Sequence, residues 1–224
     1  MVTVTWVISV ALLVVSFFAS VFIAKFKTKP VDDQKFSFMR MFPFESAKEG
    51  RGYLYSLYLF SGICFTTFLV LFEGSNKLEA LNGLSIIICV LLGLDSIVFI
   101  FLNIFDVTHT KTHLYLFLFM AFLTLLSGAL SFTRALVSYK TCLKYGSNEY
   151  LFIICEILSG ISVAFTLAFC LNPKLLNWAK LDVVEGEVNK YVRPKHFVLA
   201  YSEWALYLLL FVNVLLYFVQ LLVK

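Results

Sequence analysis

Residues 82–105, NGLSIIICVLLGLDSIVFIFLNIF, hold one charged side chain, Asp95, in 24 positions. A helix needs about 20 mostly apolar residues to cross roughly 30 Å of hydrocarbon. Lipid offers no hydrogen-bond partner to the backbone, so a spanning segment is either a helix or a strand of a closed barrel. A barrel strand alternates polar and apolar residues. The run Leu84-Ser-Ile-Ile-Ile-Cys-Val-Leu-Leu-Gly93 does not alternate, so it is expected to be a membrane-spanning helix.

Five further stretches have the same character: residues 5–24, 53–73, 113–137, 150–171 and 197–222. Hydrophobic residues make up 61% of the 224-residue chain and charged residues 14%, a balance no water-soluble core of this size would need. The expected fold class is all-α, a polytopic transmembrane six-helix bundle forming a single membrane domain over residues 1–224. The longest connections, residues 25–52 and 172–196, are too short to bury a core of their own. No nucleotide-binding or extramembrane catalytic module fits, and the net charge of +4 sits in loops and gives no reason to invoke nucleic acid.

The cysteines are Cys64, Cys89, Cys155 and Cys170 within spans and Cys142 in a loop. They show no CxxC spacing and read as small packing residues, with Cys142 a candidate for palmitoylation. The chain contains no Asn-x-Ser/Thr sequon. No positive charge precedes the first span, while Lys25, Lys27 and Lys29 follow it, the pattern of an uncleaved anchor. Loops 1, 3 and 5 carry thirteen Lys and Arg residues against five elsewhere. The positive-inside rule therefore puts those loops in the cytosol and both termini outside.

Loop 1 interleaves its basic residues with Phe36, Phe38, Met39, Met41, Phe42 and Phe44. Such a loop either lies on an anionic membrane surface or folds back onto the bundle. Pro30 and Pro43 exclude one continuous amphipathic helix.

Charged residues within spans are expensive, so each is a candidate functional position. Arg134 and Glu156 sit at similar depth on neighbouring spans, and a structural ion pair is the expected arrangement. At the opposite face gather Asp95, Asp106, His109, His113, His196 and Glu203. His109 and His113 form H-x-x-x-H, which shares a helix face. With Asp106 and His196 they supply the imidazole and carboxylate donors of a zinc site. Surface histidines at the bilayer boundary explain the same residues without a metal, and no cofactor is implied. Asp95 and Glu203 are either buried hydrogen-bonding groups or proton sites.

Three histidines are too few for a histidine-box desaturase or hydroxylase. No G-x-S-x-G elbow, H-x-x-x-x-D or H-E-x-x-H occurs. There is no convincing internal repeat, no pair of Gly/Pro-broken spans and no row of pore-lining charges.

The last span opens His196-Phe-Val-Leu-Ala-Tyr-Ser202-Glu203-Trp204 and continues through Asn213. The fourth opens with His113 and runs through Gly128 to an end bearing Phe, Arg and Tyr. These features resemble the six-span superfamily of the damage-regulated autophagy modulators (DRAM) and the post-GPI-attachment factors, across spans 2–6. That resemblance implies a polar pocket shaped by His113, Glu203 and Trp204, with a lipid headgroup as its guest. The Pro- and Ser-bearing segment that follows span 1 in the family is not matched by Lys29-Pro30-Val-Asp-Asp. The cytosolic tails of some members imply the reverse of the charge-based orientation.

The function expected is that of a non-enzymatic, lipid-associated, multi-pass membrane protein in an endomembrane (ER, Golgi or lysosome) or the plasma membrane. It would act as adaptor, regulator or accessory subunit, with membrane lipids and other membrane proteins as partners. Its candidate polar pocket comprises His113, His196, Glu203, Trp204 and Asp95. The alternatives are a lipid-modifying enzyme (a metal-dependent hydrolase or an acyltransferase) and a small proton-coupled transporter.

Overall fold

A computed structural model of the protein describes residues 2–27, 36–44, 82–105, 110–145, 149–175 and 196–222. These residues are helical or irregular, with no strand among them. Five helices are described: α1 (Val2–Lys27), α2 (Asn82–Ile104), α3 (Thr110–Tyr145), α4 (Glu149–Cys170) and α5 (Val198–Leu222). Four contain runs long and apolar enough to cross a membrane, Gly83–Ile104, Lys111–Lys140, Tyr150–Cys170 and Val198–Gln220, while α1 carries the shorter apolar run Val10–Phe26. The stretch expected to span at 53–73 lies outside the described residues.

Helix α3 extends eight residues past the expected end at residue 137, since the apolar run stops there but nothing breaks the helix before Tyr145. At 36 residues it is about 54 Å long, well beyond the hydrocarbon thickness.

The contacts fix helix direction. His113 meets Glu203 and Arg134 meets Gln220, so α3 and α5 run parallel. Tyr217 meets Ser85, while the Tyr207 ring stacks on Phe99, so α2 runs antiparallel to α5. Phe17 stacks on Phe211 at 4.2 Å and Ser20 bonds Tyr207, so α1 is antiparallel to α5 as well. In that last contact Ser20 already donates to the Phe17 carbonyl, so the Tyr207 hydroxyl is the donor to Ser20.

Helix α5 is the most enclosed of the four spans and α4 the most exposed. The buried stripe of α4, Phe152, Cys155, Ser159, Ser162 and Thr166, recurs every three or four residues and turns toward α3. It meets α3 at Gly128, beside Ser162 and Val163, while Gly160 of α4 lies against Phe132. A Cβ on Gly128 would stand 3.2 Å from Val163 Cγ2, so the glycine permits this approach. In lipid, apolar burial does not drive helices together, and close packing of small residues does.

Candidate functional site

Three polar layers lie between α3 and α5, in one register. His113, Thr124 and Arg134 of α3 face Glu203, Asn213 and Gln220 of α5. Steps of ten or eleven residues are about three helical turns, so all three α3 positions share one face.

The first layer sits where α2 ends and α3 and α5 begin. His113 Nε2 lies 2.7 Å from Glu203 Oε1, with the side chains 0% and 1% exposed. His113 Nδ1 lies 2.6 Å from the Phe105 carbonyl. A carbonyl only accepts, so Nδ1 carries a proton and donates it there. Nε2 then either accepts the proton of a Glu203 carboxylic acid or, as part of an imidazolium, donates to a carboxylate. Both forms hold the same proton and no net charge, which makes the pair tolerable at membrane depth.

Residues 36–44 cover this layer. A turn is set by the Ser37 carbonyl, which accepts from the Arg40 and Met41 amides at 3.0 and 2.9 Å. The segment is then tied to α5 twice. The Phe197 amide donates to the Met39 carbonyl, and Trp204 Nε1 donates to the Met41 carbonyl, each at 2.8 Å. Phe42 and Phe44 set their rings edge-on to His113 at 5.6 and 5.5 Å. Phe38 packs edge-on to Trp204 at 4.9 Å, and Lys25 of α1 reaches over the Phe38 ring. Of the two arrangements open to this basic-aromatic loop, folding back onto the bundle is the one observed for residues 36–44.

The second layer lies near mid-span. Thr124 Oγ1 donates to Asp95 Oδ2 at 2.8 Å, and Asn213 Nδ2 donates to the Thr124 carbonyl at 3.4 Å. Asp95, Thr124 and Asn213 are each 0% exposed.

The third layer corrects the expected Arg134–Glu156 ion pair. Among the described residues no salt bridge joins them, and Arg134 Nη1 instead donates to Gln220 Oε1 at 3.2 Å. The guanidinium lies 5.0 Å from the centre of the Tyr217 ring. The reason is facial. Arg134 continues the Thr124–Ser127–Ser131 stripe toward α5, while Glu156 lies one residue, about 100°, off the Cys155–Ser159 stripe and is only half-buried.

The pocket expected from His113, His196, Glu203, Trp204 and Asp95 is thus divided. His113, Glu203 and Trp204 belong to one buried end. Asp95 sits in a separate layer with Thr124. His196 is exposed and stays outside both, because burial starts one residue later, at Phe197 just before α5.

Of the metal candidates, Asp106 and His109 lie outside the described residues. His113 has both ring nitrogens engaged, and no group of three His, Cys, Asp or Glu among the described residues is placed to hold a metal ion. Cys89 and Cys155 are buried and Cys170 half-buried, and none of the three is in a disulfide. The residues not singled out by charge are Thr124, Asn213 and Gln220. Their signal is the recurrence of polar side chains on α3 every three or four residues, at positions 124, 127, 131 and 134. Comparison with known protein families, curated proteins and solved structures finds no match to this chain.

Proposed function

We propose that the chain is a non-enzymatic, lipid-associated, multi-pass membrane protein that serves a membrane complex as adaptor, regulator or accessory subunit. One observation carries this reading: the His113–Glu203 pair is spent on the fold. Each imidazole nitrogen has a partner in the protein, both side chains are buried, and Phe42 and Phe44 close the pair off from the loop side. A general base needs a face open to substrate, and this one binds three parts of the chain together.

Helix directions support six crossings. Helices α1 and α2 both run toward the end that holds His113, a direction that supports the return span expected at residues 53–73. The lipid part of the proposal draws on an apolar groove of about 580 Å³ lined by Phe18, Phe22, Phe26 and Phe38, with Lys25 at its side. A lipid acyl chain fits this lining, and Lys25 complements an anionic headgroup. The positive-inside count puts this end in the cytosol. The resemblance to the DRAM and post-GPI-attachment superfamily agrees with six spans and differs in orientation.

The proton-coupled transporter keeps one observation in its favour, the buried Asp95 carboxyl. The test is purification of the full chain in lipid-preserving nanodiscs, with co-purifying lipids and proteins identified, followed by assays of lipid hydrolysis and acyl transfer with divalent metals present. A stoichiometric membrane-protein partner without turnover is expected. Turnover abolished by Glu203→Gln in a folded protein would overturn the proposal, and so would proton flux in liposomes abolished by Asp95→Asn.

A further inference from the structure

We propose that the mid-span layer around Asp95 is a binding site for one sodium ion. The Asp95 carboxyl is completely buried; Oδ2 accepts from Thr124, and Oδ1 receives no hydrogen bond from the described residues. Asn213, equally buried, spends its Nδ2 on the Thr124 carbonyl and leaves Oδ1 without a hydrogen bond. Ser162 Oγ on α4 is in the same condition. Gly128 lets the last two side chains approach: a Cβ there would stand 3.6 Å from Ser162 Oγ and 3.8 Å from Asn213 Nδ2. A carboxyl group on α2, an amide on α5 and a hydroxyl on α4 thus lie around the Thr124–Gly128 turn, each with one oxygen that has no hydrogen bond among the described residues.

The charge arithmetic selects the guest. Arg134 is ten residues along α3 from Thr124, about 15 Å away, and His113 is engaged with Glu203, so the described residues set no cation beside Asp95. An uncompensated carboxylate at this depth is strongly unfavourable. One carboxylate with neutral amide and hydroxyl donors sums to a single negative charge, which a monovalent ion balances and a divalent ion over-compensates. Hard oxygen donors suit a hard alkali cation. A proton on Asp95 would cancel the charge and could satisfy only one of the other two oxygens, whereas sodium takes up all three.

The experiment is thermal unfolding of the full chain in detergent micelles, with sodium chloride raised against N-methyl-D-glucamine chloride at constant ionic strength and fixed alkaline pH. A ligand that binds only the folded state raises stability logarithmically. The melting temperature should therefore climb by about 3–5 °C per tenfold rise in sodium above its dissociation constant. Asp95→Asn should abolish the response. Should that variant not fold, Asn213→Ala takes its place and should move the sodium midpoint at least about tenfold higher. Identical melting in sodium and N-methyl-D-glucamine would overturn the proposal, leaving Asp95 a protonated hydrogen-bonding group. A sodium response that survives in Asp95→Asn, or an unmoved midpoint in Asn213→Ala, would overturn it equally.

Discussion

Replacing His113 by alanine removes the centre of the buried end in one step. The Glu203 carboxyl, 1% exposed, loses its 2.7 Å partner, and the Phe105 carbonyl loses its donor. Phe42 and Phe44 lose the ring they pack against. Breaking a buried pair by removing one partner costs about 3–5 kcal/mol. Polar couplings measured within membranes are smaller, about 0.6 kcal/mol on average and about 1.7 at most. The larger figure governs the single truncation, because it leaves a buried acid without its imidazole. The smaller governs the coupling in a cycle of His113→Ala with Glu203→Ala. Glu203→Gln should cost only about 1 kcal/mol, since its amide donates to Nε2 of the neutral imidazole. Steric trapping in bicelles measures all four variants. Trypsin supplies a local readout at Arg40, within the segment that covers the pair. Each 1.4 kcal/mol of lost docking should raise cleavage there about tenfold. A His113→Ala protein within about 0.5 kcal/mol of its parent, cleaved at the parental rate, would refute the reasoning.

Three further outcomes are expected. Trp204→Phe keeps the ring but loses the bond to the Met41 carbonyl; it should cost about 1 kcal/mol and speed cleavage after Arg40, whereas an unchanged rate would mean that the indole does not hold the segment. Gly128→Leu should destabilise by roughly 1–3 kcal/mol through overpacking against Val163, and adding Val163→Ala should restore part of the loss; no restoration would place the clash elsewhere. Arg134→Met should be neutral or stabilising, since a buried guanidinium without a carboxylate partner gives way to packing. A cycle of Arg134→Met with Glu156→Ala should show coupling below about 0.5 kcal/mol, and a larger value would reinstate the ion pair.

Placement of the four long apolar helices is legible because it depends on composition alone, whereas α1, expected to span at 5–24, carries only the shorter apolar run Val10–Phe26. Residues 82–105 and 197–222 agree with α2 and α5 to within a residue at each end. The far end of α3 was not, because hydropathy reports where lipid stops and says nothing of where a polar helix stops. Depth was legible too: His113 and Glu203, ninety residues apart, were both placed at the odd-loop face and do meet. Partner choice was harder. Arg134 and Glu156 attract by charge and depth, yet the rotation of α4 keeps Glu156 off its buried stripe. Thr124, Asn213 and Gln220 carry no charge, and their importance emerges only when the parallel register of α3 and α5 brings them opposite one another. Asp95 groups with the end cluster by its place in the sequence, but it bonds across to Thr124 in a layer of its own.

The most direct measurement is a high-resolution experimental structure of the gently solubilised protein, with native lipids and partners retained. A His113–Glu203 pair still closed under Phe42 and Phe44, with another membrane protein docked on the bundle, is the expected result. A lipid headgroup or metal ion lodged between His113 and Glu203 would contradict it and turn the assignment toward lipid chemistry.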